Sequence, residues 1–498
     1  MNILDIIDNI KIKTIYGKLP NSVNSISQDS RKIGKGDVFV AIKGYTVDGH
    51  NFIEKVIEQG AALVIASRYE NYNVENCAVI VVREHEIEKI ASMIAKKINK
   101  GADIHTVAVT GTNGKTSIST LVHNMLRNLG ESSAYIGTNG FGKNDDEPIY
   151  FGNTTPDVVT LHNQIGELRH ENIKNLAFEA SSHAMALGRI YNVDIDVAIF
   201  TNLTHEHLDF HGDMKTYAYD KSLLFSTLGN NLSEAKFGIL NKDDSYYKII
   251  SKCLYQQEIN YSIKDETSDF YAYNIKQYKE DKIYKTSFTL KSPEGIFECT
   301  TNYIGDFMVS NVLAALSAVW VKGYSVEQLV SILPKLGALY GRMEILGDDL
   351  PIDIISDFAH TPDGYEKLLE ATREIRKGKR TLLVTGMGGG RDISKGPLIG
   401  EIISEADYVV ITTDSPRDED VEVLMGSIEK GMTHKNYEKV WFRTDAVKRI
   451  IELSEPGDVV ILASKGREDY EILQGGKKVW HSDPIVAVEE AKKKFNIK

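Results

Sequence analysis

From about residue 339 to its end, the sequence alternates strand-like apolar runs with helical stretches of about 10 to 15 residues. The runs read IDII, TLLVTGM, YVVITTD, KVWFRT and DVVILAS. This alternation predicts parallel βαβ units with right-handed crossovers. The last third of the chain is therefore expected to form a doubly wound α/β sheet.

Two further segments precede this one. The first contains the short β-type runs DVFVAI, AALVIA and CAVIVV, with a helical stretch between the first two. The second opens with HTVAVT (105–110), a glycine turn and a helix from about Thr116 to Leu129. At roughly 150 residues per domain, a chain of 498 residues is expected to form three. We predict three α/β domains at 1–101, 102–338 and 339–498.

Composition excludes several classes of protein. With 42% hydrophobic and 26% charged residues and a net charge of −12, the chain lacks the basic footprint of a nucleic-acid-binding protein. Its three cysteines form no CxxC pair, which favours a reducing compartment. We find no signal peptide and no run of 18 apolar residues, so we expect a cytoplasmic protein without membrane insertion.

The strongest local motif is VTGTNGKT (109–116), between a strand and a helix. Glycines let the backbone turn its amides towards phosphate oxygens, and the helix amino terminus adds partial positive charge. Lys115 would neutralise the β and γ phosphates, and the Thr116 hydroxyl would bind magnesium. The match to GxxxxGK[ST] is incomplete because Val109 holds the first glycine position. The alternative is a glycine-rich turn with a surface lysine.

Glu179 ends an apolar run, which predicts a carboxylate at the carboxyl edge of a strand, where α/β sheets bind ligands. It is either a magnesium ligand or a capping or ion-paired glutamate. Downstream, TNLTHEHLDFHGD carries His205, His207 and His211. Their spacing matches no standard zinc motif.

Lys221 is predicted to share an apolar helix face with Tyr217 and Phe225, after an N-cap at Asp213. A lysine in such a stripe either snorkels to the surface or is buried, and burial favours the neutral amine. A neutral amine can react with carbon dioxide to give a carbamate, which could bind magnesium. The sequence does not separate the two possibilities.

Taken in order, these motifs resemble those of the Mur ligases, and within them the UDP-N-acetylmuramoyl-tripeptide synthetases. The resemblance rests on QDSRKIGKGDVFVAIKGYTVDGHNFI, GTNGKT, NTTPD, EASSHAMALGR, TNLTHEHLDFHGD, GRMEIL, SDFAHTPDGYEKLL, GMGGGRD, TTDSPRDED and SKGREDYEIL. These segments extend over nearly the whole chain. The resemblance implies a UDP-sugar domain, a central P-loop ATPase domain and a carboxyl-terminal amino-acid domain.

The resemblance also implies roles for individual residues. Those implied for ATP are Gly111, Thr112, Asn113, Gly114, Lys115, Thr116, Ser117, Asn311, Arg342, Asp357 and His360. Those implied for the UDP-sugar peptide are Ser30, Tyr45, Thr46, Val47, Asn153, Thr154, Thr155, Ser181 and Arg189. Those implied for the amino acid are Arg391, Asp414, Ser415, Pro416, Arg417, Ser464 and Glu468. Lys115, Glu179, His207 and Lys221 would be catalytic, and Thr116, Glu179, His207 and carbamylated Lys221 would hold Mg²⁺.

The implied reaction is ATP-dependent ligation of a diamino acid to UDP-N-acetylmuramoyl-L-alanyl-D-glutamate through an acyl phosphate. It belongs to peptidoglycan biosynthesis, and so to cell shape and division. All partners would be small molecules, and a monomer is expected. Closure of the third domain over the second is a further hypothesis, because water would hydrolyse the acyl phosphate.

Departures from the family pattern bear mainly on the amino acid. The version that reads meso-diaminopimelate is Asp-Asn-Pro-Arg, where this chain has DSPR (414–417), and Ser464 replaces a glycine. Arg417 could pair with the second carboxylate of diaminopimelate, which L-lysine lacks, so we expect diaminopimelate. L-lysine or another diamino acid is the alternative, since Arg417 could also be a solvated surface residue. Glu206 and Gly390 each occupy a position where the family usually has aspartate. The glutamine that the family has near Leu187 is absent from this chain.

Other classes of protein remain to be separated by experiment. They are a folylpolyglutamate-synthetase-like ligase, a kinase or simple ATPase, and a catalytically silent nucleotide-binding relative.

Overall fold

The computed structural model of the protein describes residues 4–44, 47–146, 148–150, 152–281, 283–376, 378–390 and 392–497. The chain divides into two compact units. The first contains residues 1–108 and 131–197, and the second contains residues 109–130 and 198–498.

The elements up to the nucleotide loop are short strands and helices. They are α1 (Leu4–Asn9), β1 (Thr14–Tyr16), β2 (Ile26–Ser27), β3 (Val38–Val40), α2 (Ile53–Glu58), β4 (Leu63–Ala66), β5 (Ala78–Val81), α3 (Ile87–Ile98) and β6 (His105–Thr110).

The middle segment carries strands β7 to β15. Its elements are α4 (Lys115–Asn128), β7 (Ser133–Gly137), β8 (Gly140–Lys143), α5 (Val158–His170), β9 (Asn175–Glu179), α6 (Ser182–Ala186), β10 (Val197–Phe200), α7 (Leu208–His211), α8 (Met214–Ser226), β11 (Phe237–Asn241), α9 (Tyr247–Ser251), β12 (Gln257–Ser262), β13 (Phe270–Glu280), β14 (Ile283–Ser292), β15 (Gly295–Thr301), α10 (Asp306–Trp320) and α11 (Val326–Ile332).

The last segment holds β16 (Glu344–Leu346), β17 (Asp353–Ser356), α12 (Pro362–Arg376), β18 (Thr381–Met387), α13 (Gly396–Ile403), β19 (Tyr408–Thr413), α14 (Val421–Glu429), β20 (Tyr437–Lys439), α15 (Arg443–Leu453), β21 (Val459–Leu462), β22 (Tyr470–Ile472), β23 (Lys478–Trp480) and α16 (Asp483–Phe495).

In the first unit, a five-stranded sheet has the order β1-β5-β4-β3-β2, parallel except for β1. Alternate residues of each strand pack on opposite faces, because successive strand side chains point to opposite sides. One face is formed by Val38, Val40, Leu63, Ile65, Ala78 and Ile80, and the other by Phe39, Ala41, Val64, Ala66 and Val79. Both faces are covered, which explains the near-continuous apolar runs of these strands. In the same unit, β7 pairs with β9 in parallel and with β8 antiparallel.

The second unit contains strands in the order β15-β14-β13-β12-β11-β10. Strands β11 to β13 are parallel, and β13 to β15 form an antiparallel meander. The sequence analysis missed this meander, because the far half of β13 is exposed and lacks apolar alternation.

The last segment, in the same unit, forms a six-stranded sheet of order β16-β17-β21-β18-β19-β20. All neighbours except β16 and β17 are parallel, which confirms the doubly wound α/β prediction. One strand prediction is displaced: a strand, β20, lies here but ends at Lys439, the first residue of KVWFRT, and α15 begins at Arg443. Trp441 and Phe442 are exposed, whereas the Arg443 side chain turns into the protein interior.

None of the helices in the described ranges is long and apolar enough to cross a membrane.

Candidate active site

The nucleotide loop joins β6 to α4 in the second unit, as the sequence predicts. Gly111 has a φ of +152° and Gly114 a φ of +88°. A Cβ on Gly111 would lie 1.8 Å from Thr201 Oγ1, and one on Gly114 would lie 2.8 Å from Asn311 Oδ1. Only glycine fits these two positions, which leaves the backbone of the loop open to a phosphate group.

Two lysine amines meet at one carbonyl oxygen of this loop. Lys115 Nζ donates to Gly111 O at 3.0 Å and to Thr112 O at 2.8 Å. Lys221 Nζ donates to the same Gly111 O at 2.7 Å. Burial of Lys221, with the nearby charge of Lys115, holds the pKa of the Lys221 amine well below its ordinary value.

The helix α8 delivers Lys221 to this position. It is capped by Asp213, whose side chain accepts hydrogen bonds from the N–H groups of Lys215 and Thr216. Lys221 is 1% exposed, and its Nζ lies 4.7 Å from the centre of the Tyr217 ring. The lysine therefore does not snorkel to the surface, and of the two possibilities left open by the sequence, burial is confirmed.

The histidine-rich loop packs against the same region. His207 has a left-handed φ of +58° at the start of α7, and its ring lies edge-on to Tyr217. His211 Nδ1 lies 2.7 Å from Asp220 Oδ2, and both side chains are buried. Tyr217 Oη lies 3.2 Å from Thr112 Oγ1, which ties α8 to the nucleotide loop.

Three residues predicted for ATP come from the last segment. Arg342 Nη2 donates to Thr116 Oγ1 at 2.9 Å, and its guanidinium lies 4.7 Å from the centre of the Phe358 ring. Asp357 accepts from the N–H groups of Met343 and Ala359, each at 2.7 Å, and burial raises its pKa. The third residue, His360, lies three residues beyond Asp357, and its Nδ1 is 2.9 Å from Phe358 O.

The remaining predicted ATP residues lie around α4. Ser117 is buried in the first turn of α4, and buried Asn311 on α10 stands against Gly114. Asn113 donates from Nδ2 to Asp363 Oδ2 at 2.7 Å, a contact that the sequence analysis missed.

A second missed contact joins the histidine loop to the last segment. Glu206 and Lys395 form an ion pair with N–O distances of 3.1 and 3.2 Å. Each side chain is 8% exposed. Glu206, noted in the sequence only as a departure from aspartate, therefore has a buried cationic partner 189 positions away.

In the first unit, Glu179 ends β9 and is buried. Its Oε1 accepts from the N–H of Thr138 at 2.7 Å, and its Oε2 lies 3.3 Å from the Thr138 hydroxyl, which lies 3.2 Å from Thr154 Oγ1. The prediction that Glu179 ends a strand is confirmed, and its role as a metal ligand stays a prediction.

Three residues predicted for the peptide substrate are connected here as well. Thr155 Oγ1 donates to Glu179 O at 2.7 Å and accepts from the N–H of Ser181, the N-cap of α6. Arg189 Nη1 donates to Thr155 O at 2.9 Å. Asn153 is exposed two residues before Thr155. The structure therefore groups Thr154, Thr155, Ser181 and Arg189 around the end of β9.

The positions predicted for the uridine diphosphate are only partly described. Ser30 is buried at the start of a short 3-10 helix capped by Asp29. Val47 is exposed, and Tyr45 and Thr46 lie outside the described residues.

The predicted amino-acid pocket lies where β19 and β21 end in the second unit. Lys465 is fully buried, and its Nζ lies 3.1 Å from Asp414 Oδ1 and 3.5 Å from Glu468 Oε2. Arg417 Nη1 donates to Gly389 O. The structure thus brings Asp414, Arg417 and Glu468 to one sheet edge, with Lys465 as a member that the sequence analysis missed. The predicted member Arg391 lies outside the described residues.

The two serines that depart from the diaminopimelate pattern have left-handed backbones. Ser415 has a φ of +53° and Ser464 a φ of +79°. Asparagine and glycine adopt this conformation more easily than serine, which accounts for the family residues at these positions. Here each hydroxyl accepts a hydrogen bond from the chain itself, Ser415 from the N–H of Ile472 and Ser464 from Arg443. The buried residue Pro416 follows Ser415.

Family models match three consecutive parts of the chain. Residues 22–106 match the Mur ligase family catalytic domain, residues 109–319 the Mur ligase middle domain, and residues 341–466 the Mur ligase glutamate ligase domain.

Similar proteins extend over the full chain. A UDP-N-acetylmuramoyl-L-alanyl-D-glutamate–L-lysine ligase of Staphylococcus haemolyticus (strain JCSC1435) is 41% identical over 497 residues, 99% of this chain and 99% of that protein. The enzyme of the same name from Staphylococcus aureus (strain MW2) is 41% identical over 488 residues, 98% of this chain and 97% of that protein. A solved UDP-N-acetylmuramoyl-L-alanyl-D-glutamate–2,6-diaminopimelate ligase is 28% identical, with a TM-score of 0.68 and 99% of both chains covered.

The chain matches three Mur ligase domains, and the nucleotide loop lies at the start of the middle one. These matches identify the protein as an ATP-dependent ligase that forms peptide bonds. The chain belongs to the Mur ligase family.

Proposed function

We propose that this ligase adds a diamino acid to the D-glutamate carboxylate of UDP-N-acetylmuramoyl-L-alanyl-D-glutamate, a step in making peptidoglycan. Support comes from relatives of that name at 41% identity over nearly the full chain. The observation that carries the proposal is the buried Lys221 amine, which lies against the carbonyl of Gly111 in the nucleotide loop. A simple kinase or ATPase needs the loop but has no need of a second, buried lysine behind it.

The chemistry follows from the weakness of a carboxylate as an electrophile. A γ-carboxylate oxygen attacks the γ-phosphorus of ATP, the bond to the ADP oxygen breaks, and an acyl phosphate forms. The amine then attacks the acyl carbon, phosphate leaves, and the nitrogen loses a proton to give the amide. Lys115 stabilises the charge on the transferred phosphoryl oxygens once it leaves the loop carbonyls for the nucleotide.

Lys221 is proposed to carry a carbamate. Its lowered pKa favours the neutral amine, which attacks carbon dioxide to give the carbamate and release a proton. This reaction converts a buried amine, which repels Lys115 when it is protonated, into an anion. The charge repulsion between the two lysines would then become an attraction.

Magnesium is proposed to enter with ATP. Thr116 would supply a hydroxyl oxygen, a hard donor of the kind that Mg²⁺ prefers, and Glu179 stays a predicted ligand. His207 and carbamylated Lys221 remain predicted ligands. In the described part of the chain no three His, Cys, Asp or Glu residues form a metal-binding group. Protein side chains would therefore share the ion with the phosphates of ATP. The bound ion would supply positive charge that stabilises the phosphoryl oxygens during transfer.

The added amino acid is proposed to be meso-2,6-diaminopimelate. Arg417 supports this choice, because it follows β19 at the same sheet edge as Asp414, where its guanidinium contacts Gly389 O and could also pair with a second carboxylate. The hydroxyls of Ser415 and Ser464 are bonded within the chain, so these two departures need not alter the contacts with an amino acid.

L-lysine is the second candidate, favoured by the names of the two relatives at 41% identity. The two amino acids differ by one carboxylate, so the test must measure whether Arg417 contributes to binding the amino acid.

The test measures phosphate release from ATP with the UDP-dipeptide and each amino acid separately. We expect turnover with diaminopimelate, and Arg417→Ala to raise its KM about 10-fold or more, the value of a lost charge-assisted pair. Turnover with L-lysine alone, unchanged in Arg417→Ala, would keep the ligase and overturn the choice of amino acid. No turnover with either would contradict the proposed substrate.

A further inference from the structure

Arg443 is buried at the end of the sheet that carries the predicted amino-acid pocket. It is the first residue of α15 and is 0% exposed. Its Nη2 donates to Ala463 O at 2.6 Å, and its Nη1 donates to Ser464 Oγ at 2.9 Å and to Thr413 O at 3.4 Å. One guanidinium therefore joins the ends of two strands, β19 and β21.

The guanidinium is itself held from the other side. Asp483, at the start of α16, accepts from Arg443 Nε at 3.0 Å and from Nη2 at 2.5 Å. The His481 ring lies 2.5 Å from Asp483 through Nε2 and 2.8 Å from the Thr444 hydroxyl through Nδ1. Because a carboxylate only accepts, His481 donates from Nε2 to Asp483, and its Nδ1 shares a second hydrogen bond with the Thr444 hydroxyl. Each nitrogen of the Arg443 guanidinium and of the His481 ring therefore has a hydrogen-bond partner.

The cluster stays charged despite its burial. Burial alone would lower the pKa of Arg443, but the charge and hydrogen bonds of Asp483 raise it above its ordinary value. The same pairing holds the pKa of Asp483 well below its ordinary value, against the effect of burial. A buried ion pair is weak evidence for stability, because desolvation offsets much of the attraction. The position of the ion pair in the fold therefore says more about its role than its contribution to stability does.

The residues that Arg443 holds directly precede the pocket. Thr413 is followed by Asp414, and Ala463 by Ser464 and Lys465. We infer that Arg443, fixed by Asp483 and His481, is a positioning residue that sets the distance between the two pocket segments and so the affinity for the incoming amino acid. This inference rests on the proposed function. It concerns a residue that touches no substrate and acts through the backbone of β19 and β21.

A control lies at the opposite end of the same sheet, in a pair whose arginine side chain is 44% exposed. Arg380 pairs with buried Asp458 at 2.6 Å, and these residues directly precede β18 and β21. This pair also joins two strand ends, but it lies at the edge away from the pocket. Removing it should reduce stability without changing the binding of an amino acid.

The experiment compares Arg443→Met, Ser464→Ala and Arg380→Met in the full chain. Steady-state phosphate release gives the KM for diaminopimelate or L-lysine, whichever the unmodified protein uses, and the KM for ATP. Hydroxylamine in place of the amino acid traps the acyl phosphate as a hydroxamate. Hydroxylamine is too small to need the pocket, so hydroxamate formation reports the first step alone.

We expect Arg443→Met to raise the KM for the amino acid about 10- to 100-fold, the scale of a displacement of about 1 Å. The KM for ATP and the hydroxamate rate should stay within about 2-fold of the unmodified protein, and Arg380→Met should change neither KM. Ser464→Ala removes one acceptor and keeps the backbone, and we expect about a 3- to 10-fold rise.

An unchanged amino-acid KM in Arg443→Met would overturn the inference. If that variant does not fold, an unchanged KM in Ser464→Ala overturns it instead. An equal rise in Arg380→Met would show a general loss of structure and also contradict the inference. Absence of hydroxamate from the unmodified protein would contradict the proposed function itself, so the two failures are distinguishable.

Discussion

At the scale of single residues, the most informative contact is the one between Lys221 and Gly111 O. A lysine amine buried beside a second lysine is costly unless it becomes neutral or is modified. The apolar spacing of α8 placed Lys221 on the apolar helix face but did not decide between snorkelling and burial. Its partner could not be predicted, because Gly111 lies 110 positions earlier in the chain.

Lys221→Ala should abolish ligation, because it removes the amine that would carry the carbamate. A short carboxylic acid such as acetate should restore part of the activity by supplying a carboxylate in the vacated space. Phosphate release with and without acetate checks this. Lys215→Ala, on the exposed side of the same helix, is the control and should remain active. Full activity of Lys221→Ala without acetate would contradict the carbamate proposal.

His162 provides a test of pH dependence away from the nucleotide loop. It is buried on α5 with its Nε2 2.9 Å from Tyr191 O, and burial lowers its pKa below the ordinary 6.5. Below pH 6.5 the unfolded chain therefore binds a proton that the folded chain does not, so stability is present above that pH and is lost as the pH falls. His162→Gln, which keeps a donor for Tyr191 O, should flatten the decline in urea midpoint between pH 7 and pH 5.

The control for that measurement is His85→Gln, at an exposed histidine. It should leave the slope as it is in the unmodified protein. An unchanged slope in His162→Gln would show that His162 does not contribute to the decline.

At the scale of elements, the turn between β6 and α4 depends on two glycines for different reasons. A Cβ on Gly111 would clash with Thr201. Gly114 has a positive φ, and a Cβ there would also clash with the side-chain amide of Asn311. The strand–turn–helix pattern was predictable from the sequence. The steric exclusion of a Cβ by Thr201 and Asn311 was not predictable, because both residues come from elements distant in the sequence.

Gly114→Ala and Gly130→Ala form a matched pair at the two ends of α4. Their φ angles are +88° and +84°, so an alanine is strained by about 1 to 2 kcal/mol at both. A Cβ at Gly130 has nothing within 4 Å, whereas one at Gly114 meets Asn311 at 2.8 Å. We expect both variants to lose thermal stability and only Gly114→Ala to lose ATP turnover. Equal turnover in the two would contradict the role given to the loop.

At the scale of the whole molecule, contacts within the second unit join the nucleotide and histidine loops to the last segment of the chain. They are Thr116 with Arg342, Asn113 with Asp363, and Glu206 with Lys395. These contacts bring residues of the last segment, more than 180 positions away, against the nucleotide loop and the histidine-rich loop. They also support the hypothesis that the last segment excludes water during the reaction.

Lys395→Met should destabilise the protein by about 3 to 5 kcal/mol, because it leaves the buried Glu206 carboxylate without its cation. Adding Glu206→Gln should recover part of that loss, which gives a coupling of at least about 1 kcal/mol in a double-mutant cycle of urea unfolding. Lys493→Met, at an exposed pair with Glu490, should change stability by less than about 1 kcal/mol. Additive effects of the first two changes would contradict the ion pair.

Much of this architecture could be predicted from local patterns. Apolar runs indicated the doubly wound sheet, glycines the nucleotide loop, and Asp213 the start of α8. Patterns failed where a charged side chain turns inwards to a distant partner. Arg443 follows two exposed aromatic residues, which made a helix start resemble a strand. Lys465 and Lys395 carry no local sign that they are buried, since their acidic partners include residues 51 and 189 positions away.

The most direct test of the central claim follows an oxygen atom. The γ-carboxylate of the D-glutamate in the UDP-dipeptide is labelled with ¹⁸O, and the phosphate released during ligation is analysed by mass spectrometry. An acyl phosphate transfers one carboxylate oxygen to phosphate, so the account predicts one ¹⁸O in each phosphate released. Unlabelled phosphate, with amide product formed, would contradict the acyl-phosphate mechanism.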